Sequence, residues 1–278
     1  MKNTVSIARG KWQAEICPEW GGNLVCLSCG DRELLRTPKD LEEIKNSPVL
    51  YGIPLLLPAN RTENARFSFA GKEYALPLNE PLRNNSIHGA LHSAAFQVER
   101  ITENSVVTSL ENTGEWYPFP FRITIEDTLS ETGLTRDLTL ENTGEVTMPY
   151  TLAYHIAFVE PSFFAAPVGK RYLVNENFIP TGELAELSER EQAYRGGMAP
   201  DGNRVSGFYT ACGDTVVIGD YKMKLSRQFD HFVLFNGSGN EGFLCIEPQC
   251  GAVNGLNSGI CRRLKPGEQE VLTVTISK

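Results

Sequence analysis

The chain has 278 residues, a formal net charge of −8 and 41% apolar residues. That length suits one large β domain or two small ones, and the apolar fraction is ordinary for a soluble protein with a proper core. The acidic balance argues against nucleic acid as a partner, because phosphate binding needs a basic face, and the apolar runs are too short to span a bilayer.

No stretch of biased composition divides the chain, so one domain over residues 1–278 is expected. The first twenty residues carry Lys2, Arg9 and Lys11 without the apolar core of a secretory signal, which predicts a cytoplasmic protein. Residues 4–17 alternate apolar and polar around Gly10, a hairpin pattern of period two. Gly21-Gly22 opens a strand over 23–28, and Asp40–Lys45 is a short helical segment ahead of Pro48. Residues 67–76 read as a second hairpin, turning at Ala70-Gly71. Strands are then predicted over 96–101, 105–111, 121–129, 134–141 and 147–158, joined by turns containing Gly and Asn. Glu-Asn-Thr-Gly-Glu occurs at both 111–115 and 141–145, but the flanking residues differ, which marks shared turn chemistry rather than a repeat. Residues 184–195 predict a helix of three turns, followed by strands over 215–219, 221–226, 231–236, 243–247 and 270–276. So many short strands with so little helix predict an all-β fold, a large antiparallel β-sandwich or related barrel.

The seven cysteines are odd in number and lie mostly in apolar surroundings, which suits reduced thiols. Cys26 and Cys29 have CxxC spacing, but no second such pair or His pair accompanies them, so no metal site is expected. Acid–base candidates are clearer. Glu247 follows the apolar run Phe243-Leu-Cys-Ile246, which reads as a buried strand that Pro248 then stops. A carboxylate there is partly desolvated, and its pKa should rise towards that of a general base; the plain structural alternative is a strand-end glutamate paired with an arginine. His155 lies in an apolar run, Pro149–Phe158, and reads as a buried histidine, catalytic or merely satisfied. His88, before Gly89 at the end of an Asn-rich loop, can be presented to a ligand. Arg61, ending the run Leu56-Leu-Pro-Ala-Asn-Arg61, can fork hydrogen bonds to hydroxyls or form a structural ion pair. His92 and His231 read as structural. No nucleophile elbow, P-loop, HExxH or dinucleotide fingerprint occurs in a fitting context.

Five segments taken together go further: Tyr51–Arg61, Asn79–Gly89, Tyr117-Pro-Phe-Pro-Phe121, Pro149–Phe158 and Cys245-Ile-Glu-Pro-Gln249. In content and order they resemble the aldose 1-epimerase (galactose mutarotase) family, in its bacterial aldose epimerase-like branch. The resemblance runs from Trp20-Gly-Gly-Asn-Leu24 to Leu264-Lys-Pro-Gly-Glu268. It implies a β-supersandwich with an open sugar cleft, no cofactor, a free sugar as partner, and neither nucleic acid nor membrane. By motif, Glu247 would be the general base and His155 the general acid. Arg61, His88, Asn60 and Gln249 would bind the substrate. Galactose-acting members carry an Asp-His-aromatic signature that Phe229-Asp-His-Phe232 resembles. Asp230 is only one hairpin ahead of Glu247, however, so the family's sugar-binding aspartate is expected to correspond to the 201–209 region instead. Ile-Ala-Phe after His155 replaces the more usual Thr-Tyr-Phe. An aldose 1-epimerase is the leading reading. A non-catalytic sugar-binding or sensor protein of the same fold and a hexose-6-phosphate 1-epimerase are the alternatives.

Overall fold

A computed structural model describes residues 4–278; Lys2, noted above, lies outside them. The molecule is mostly β, built on two eight-stranded sheets and a four-stranded N-terminal one. The outer sheet runs Gln97–Ile101, Ser105–Asn112, Phe121–Leu129, Gly133–Asn142, Gln269–Ser277, Tyr221–Leu225, Thr215–Ile218 and Phe164–Ala165. Its central strands follow the period-two rule: Ile123, Ile125 and Leu129 are buried with Leu134, Leu138 and Leu140 opposite, while Arg122, Thr124, Glu126 and Thr128 on the other face are half-buried.

The second sheet forms the floor of the candidate site. Its order is Pro180–Ala185, Val168–Val174, Ser206–Ala211, His231–Phe235, Phe243–Cys250, Leu152–Tyr154 and Leu55–Leu56, with Ile156–Val159 also paired to Phe243–Cys250. All eight residues of Phe243–Cys250 are buried, since the strand is central and covered on both faces. Leu244, Ile246 and Cys250 belong to the main core with Phe232, Leu234 and Tyr154. Phe243 and Cys245 pack with Ala157 on the opposite face.

Most predicted strands form within a residue or two of their expected bounds, but three expectations are corrected. The segment 147–158 is three short strands, Met148–Tyr150, Leu152–Tyr154 and Ile156–Val159: it changes partner at Thr151, and its ladder with Phe243–Cys250 has no pair between those of Ala153 and Ile156. Pro248 does not stop its strand, which continues to Cys250. Phe232 pairs with Pro248 on one side, and on the other the ladder has no pair between those of Ala153 and Ile156, so the donor that proline lacks falls beside an interruption. The helix expected over 184–195 is Glu189–Gly196 alone, begun by a Ser188–Glu191 capping box; Leu184 and Ala185 pair instead with Tyr172 and Arg171.

One polar contact ties the sheets together. Asp127 and Arg136 are cross-strand partners on the inner face of the outer sheet, both fully buried. Arg136 donates through Nη1 to both carboxylate oxygens, at 3.0 and 2.8 Å, and through Nη2 to the carbonyl of Gly22 at 2.8 Å. Its guanidinium also lies 5.3 Å from the ring centre of Tyr154 in the cleft sheet. Removing one member of such a pair strands the other charge in the core. We expect Arg136→Met to cost about 3–5 kcal/mol in urea unfolding, and Asp127→Leu added to it to recover most of that loss. A single-variant cost below about 1 kcal/mol would contradict this.

Candidate active site

Registers across the floor sheet put the acid–base candidates in one row. Phe208 pairs with Val233, and Val233 with Glu247. His155 immediately precedes Ile156, which pairs with Ile246, so the same ladder extended by one residue sets His155 opposite Glu247. Directly opposed residues share a face of a sheet, and all four line one cleft of about 400 Å³, a volume suited to a small ligand. This also settles which side of His231–Phe235 faces the cleft. Val233 and Phe235 do, whereas Phe232 belongs to the core.

His155 Nε2 lies 3.2 Å from Glu247 Oε1, with the two residues 3% and 1% exposed. Burial pushes the Glu247 carboxyl up to about 8, opposed by the charge of Arg61, and pushes His155 down to about 4. Between those limits the pair holds one proton and no net charge. Glu247 Oε2 and His155 Nδ1 have no partner among the described residues. The His88 ring stands edge-on to that of His155, with centroids 5.4 Å apart. Burial, then the neighbouring His155 and Arg61, holds His88 well below the usual histidine range.

Arg61 and His88 are delivered by a small ladder in which Arg61, Thr62 and Glu63 pair with Ile87, Ser86 and Asn85. His88 then turns into the left-handed region at φ 64°, its N–H bonded to the carbonyl of Asn60 at 2.8 Å. Gly89 must be glycine: a Cβ there would meet the carbonyl oxygen of Leu57 at 2.1 Å. Arg61 forms the structural ion pair and also reaches the cleft, donating to Glu80 from Nε at 2.9 Å and from Nη2 at 2.8 Å. Glu80 also accepts from Arg83 and from Asn85, each at 3.1 Å. Burial opposes ionisation of Glu80, but the hydrogen bonds of Arg61 and Asn85 outweigh it and hold the carboxyl below the usual range.

Of the six candidate residues, Glu247, His155, Arg61, His88 and Asn60 line the cleft. Gln249 does not. It follows Glu247 on the same face but is fully buried, its amide nitrogen donating to the carbonyl of Gly251 at 2.9 Å. Asp230 is also outside the cleft, where its Oδ1 contacts His231 Nδ1 at 2.7 Å and accepts the Gly251 N–H at 2.9 Å. His231 in turn contacts the Tyr172 hydroxyl through Nε2 at 2.9 Å. The 201–209 region does reach the cleft, through Arg204, Ser206 and Phe208, with no acidic side chain among its lining residues. Phe178, Arg204 and Glu80 were not singled out from sequence. Glu80 is a half-buried carboxylate, and its place beside Pro81 within a quoted motif was its one available signal. Among the described residues, no three His, Cys, Asp or Glu side chains are grouped to hold a metal ion, and no helix is long and apolar enough to cross a membrane.

Comparison with known proteins bears on the fold and the family. The uncharacterised protein YihR of Escherichia coli K12 is 30% identical over 187 residues, 64% of this chain and 59% of YihR, so the match spans less than two thirds of that relative. A galactose mutarotase-like protein of Clostridium acetobutylicum superposes with a TM-score of 0.90 at 24% identity, over 98% of this chain and 94% of its own. An aldose epimerase homologue from Caenorhabditis elegans does so with a TM-score of 0.83 at 17% identity, over 99% and 98%. At such identities these structures establish the shared fold. The aldose 1-epimerase family profile matches residues 3–277, nearly the whole sequence, and the chain therefore belongs to the aldose 1-epimerase family.

Proposed function

We propose that the protein is an aldose 1-epimerase that interconverts the α and β anomers of a sugar, with Glu247 as general base and His155 as general acid. The supporting observation is the 3.2 Å approach of the two side chains on the floor of the cleft. Anomer exchange needs a base to take the proton of the C1 hydroxyl and an acid to protonate the ring oxygen as the C1–O5 bond breaks. The open-chain aldehyde rotates about C1–C2, and the same groups with roles reversed close the ring on the other face.

The pair enters with one proton and leaves with one. Its working form, carboxylate facing imidazolium, is the other tautomer of the neutral pair, so reaching it adds no net charge to the buried site. Arg61 favours the carboxylate in that exchange, since its charge lowers the Glu247 pKa. Arg61, His88 and Asn60 serve as hydroxyl and ring-oxygen partners in this reading.

Polarimetry of freshly dissolved α-glucose, α-galactose and related aldoses tests the activity. Glu247→Gln should lower kcat by about 10²- to 10⁴-fold while sugar binding and thermal unfolding are kept; a folded variant at the wild-type rate would contradict the assignment. Because catalysis needs the one-proton pair, kcat/KM should be bell-shaped, falling below pH about 4 as a second proton binds and above pH about 8 as the last one leaves. A profile flat from pH 5 to 10 would exclude the pair as the titrating element. Asp230 has its partners outside the cleft, and Asp230→Asn should change KM by less than about tenfold; a hundredfold rise in an intact fold would make it a sugar ligand.

A further inference from the structure

We infer that the preferred substrate is an aldose bearing an anionic substituent, which Arg83 and Arg204 receive. This rests on the reading of the cleft as an aldose 1-epimerase site and adds the charge of the sugar to it.

Three arginines line the cleft, Arg61, Arg83 and Arg204, and Glu247 is the one carboxylate among the lining residues. Arg61 and Arg83 share a single ionised partner, Glu80. Among the described residues these three guanidinium charges thus have one ion-pair partner, Glu80, in a chain whose net charge is −8. The acidic balance of the whole sequence is not the balance at this site.

The two arginines are held differently from Arg61. Arg61 spends Nε and Nη2 on Glu80 and directs Nη1 at Asn60 Oδ1, 3.4 Å away. Arg83 gives Glu80 only Nη1, and its guanidinium lies over the Phe178 ring, 4.8 Å from the centroid. Its other donors have no partner among the described residues, so the plate is oriented yet its bonds remain available. Phe178 is itself in the left-handed region, at φ 58°, a conformation seldom held by a bulky side chain and characteristic of functional sites. Arg204 has no ion pair among the described residues. Its backbone is fixed, with its carbonyl accepting from Arg190 at 2.7 Å and the next N–H donating to Asn236 Oδ1 at 2.7 Å. Arg171 pairs with Tyr209, and the antiparallel run carries Val174 to the Ser206 end of its neighbour. The hairpin turn that bears Phe178 and the residue Arg204 thus stand at the same end of the sheet.

A neutral aldose leaves both charges to water. A phosphate, carboxylate or sulfonate oxygen pair matches the guanidinium fork, and such charge-assisted bonds are about twice as strong as neutral ones.

The test measures kcat/KM for mutarotation of glucose and of its 6-phosphate, uronate and 6-sulfonate forms, which distinguish the three anions. Wild type, Arg83→Gln and Arg204→Gln are compared. At least one anionic sugar should exceed glucose by about tenfold or more. Its KM, unlike that of glucose, should rise as added salt shortens the Debye length from about 30 to about 3 Å. The anionic-to-neutral ratio should fall by about tenfold in Arg204→Gln and fall also in Arg83→Gln; taken within one variant, that ratio is independent of how much of it folds. Glucose turned over as well as every anionic form, or a ratio unchanged in both variants, would overturn the inference and leave the epimerase reading standing. Turnover of none of the four sugars would overturn both.

Discussion

Everything chemical in this molecule depends on the burial of one carboxylate in the middle of a central strand. Glu247 sits between Val233 and His155 in a ladder whose other face is hydrophobic core, and it is 1% exposed. A carboxylate in that position is too costly to keep ionised without a partner. The fold supplies an imidazole in place of a guanidinium. A bidentate arginine would have fixed the charge and ended the chemistry. A histidine under the same desolvation leaves a proton that can be held by either group. His155 sits at an interruption in the neighbouring strand, within a ladder whose register to Phe243–Cys250 is the same on both sides.

The rim is organised on the opposite principle. Glu80 is only half-buried, and it accepts four hydrogen bonds from Arg61, Arg83 and Asn85 and stays ionised. The two glutamates therefore differ in charge through burial and neighbours together, Glu247 being 1% exposed and the Glu80 side chain 13%. Glu80 anchors two arginines, and Glu247 is the group proposed to carry the proton. The anchor is tied outward as well, since Asn85 also donates to the carbonyl of Asn177 at 3.1 Å, joining the loop to the hairpin that carries Phe178. Around the cleft, Asn60, Asn84, His88 and Phe178 all have positive φ. Non-glycine residues so held cost on the order of 1–3 kcal/mol each, and the surrounding bonds must hold them in place.

The sheets were legible in the sequence because alternation is a local signal. Phe121–Leu129 and its partner show their inward face residue by residue, and the Ser188–Glu191 capping box accounts for the start of the one longer helix. Glu247 was legible as an oddity, a charge at the end of an apolar run. Its position in mid-strand was not, because the effect of Pro248 depends on a gap in a ladder formed by residues a hundred positions away. The same holds for the charge balance of the cleft. Net charge is a property of the whole chain, whereas Arg83, Arg204 and Phe178 meet only through the pairing of Val168–Val174 with Ser206–Ala211. The strands Val168–Val174, Pro180–Ala185 and Ser206–Ala211 have too little alternation to be read locally, and these carry that end of the site.

The protonation of Glu247 can be observed directly by infrared difference spectroscopy, wild type minus Glu247→Gln, titrated across the neutral range. A carboxylic acid carbonyl band should be present at pH 6 and disappear with a midpoint of about 8, which is the buried, proton-sharing glutamate described here. A band already lost below pH 5 would mean an ordinary ionised carboxylate, and the acid–base pairing of Glu247 with His155 would have to be abandoned.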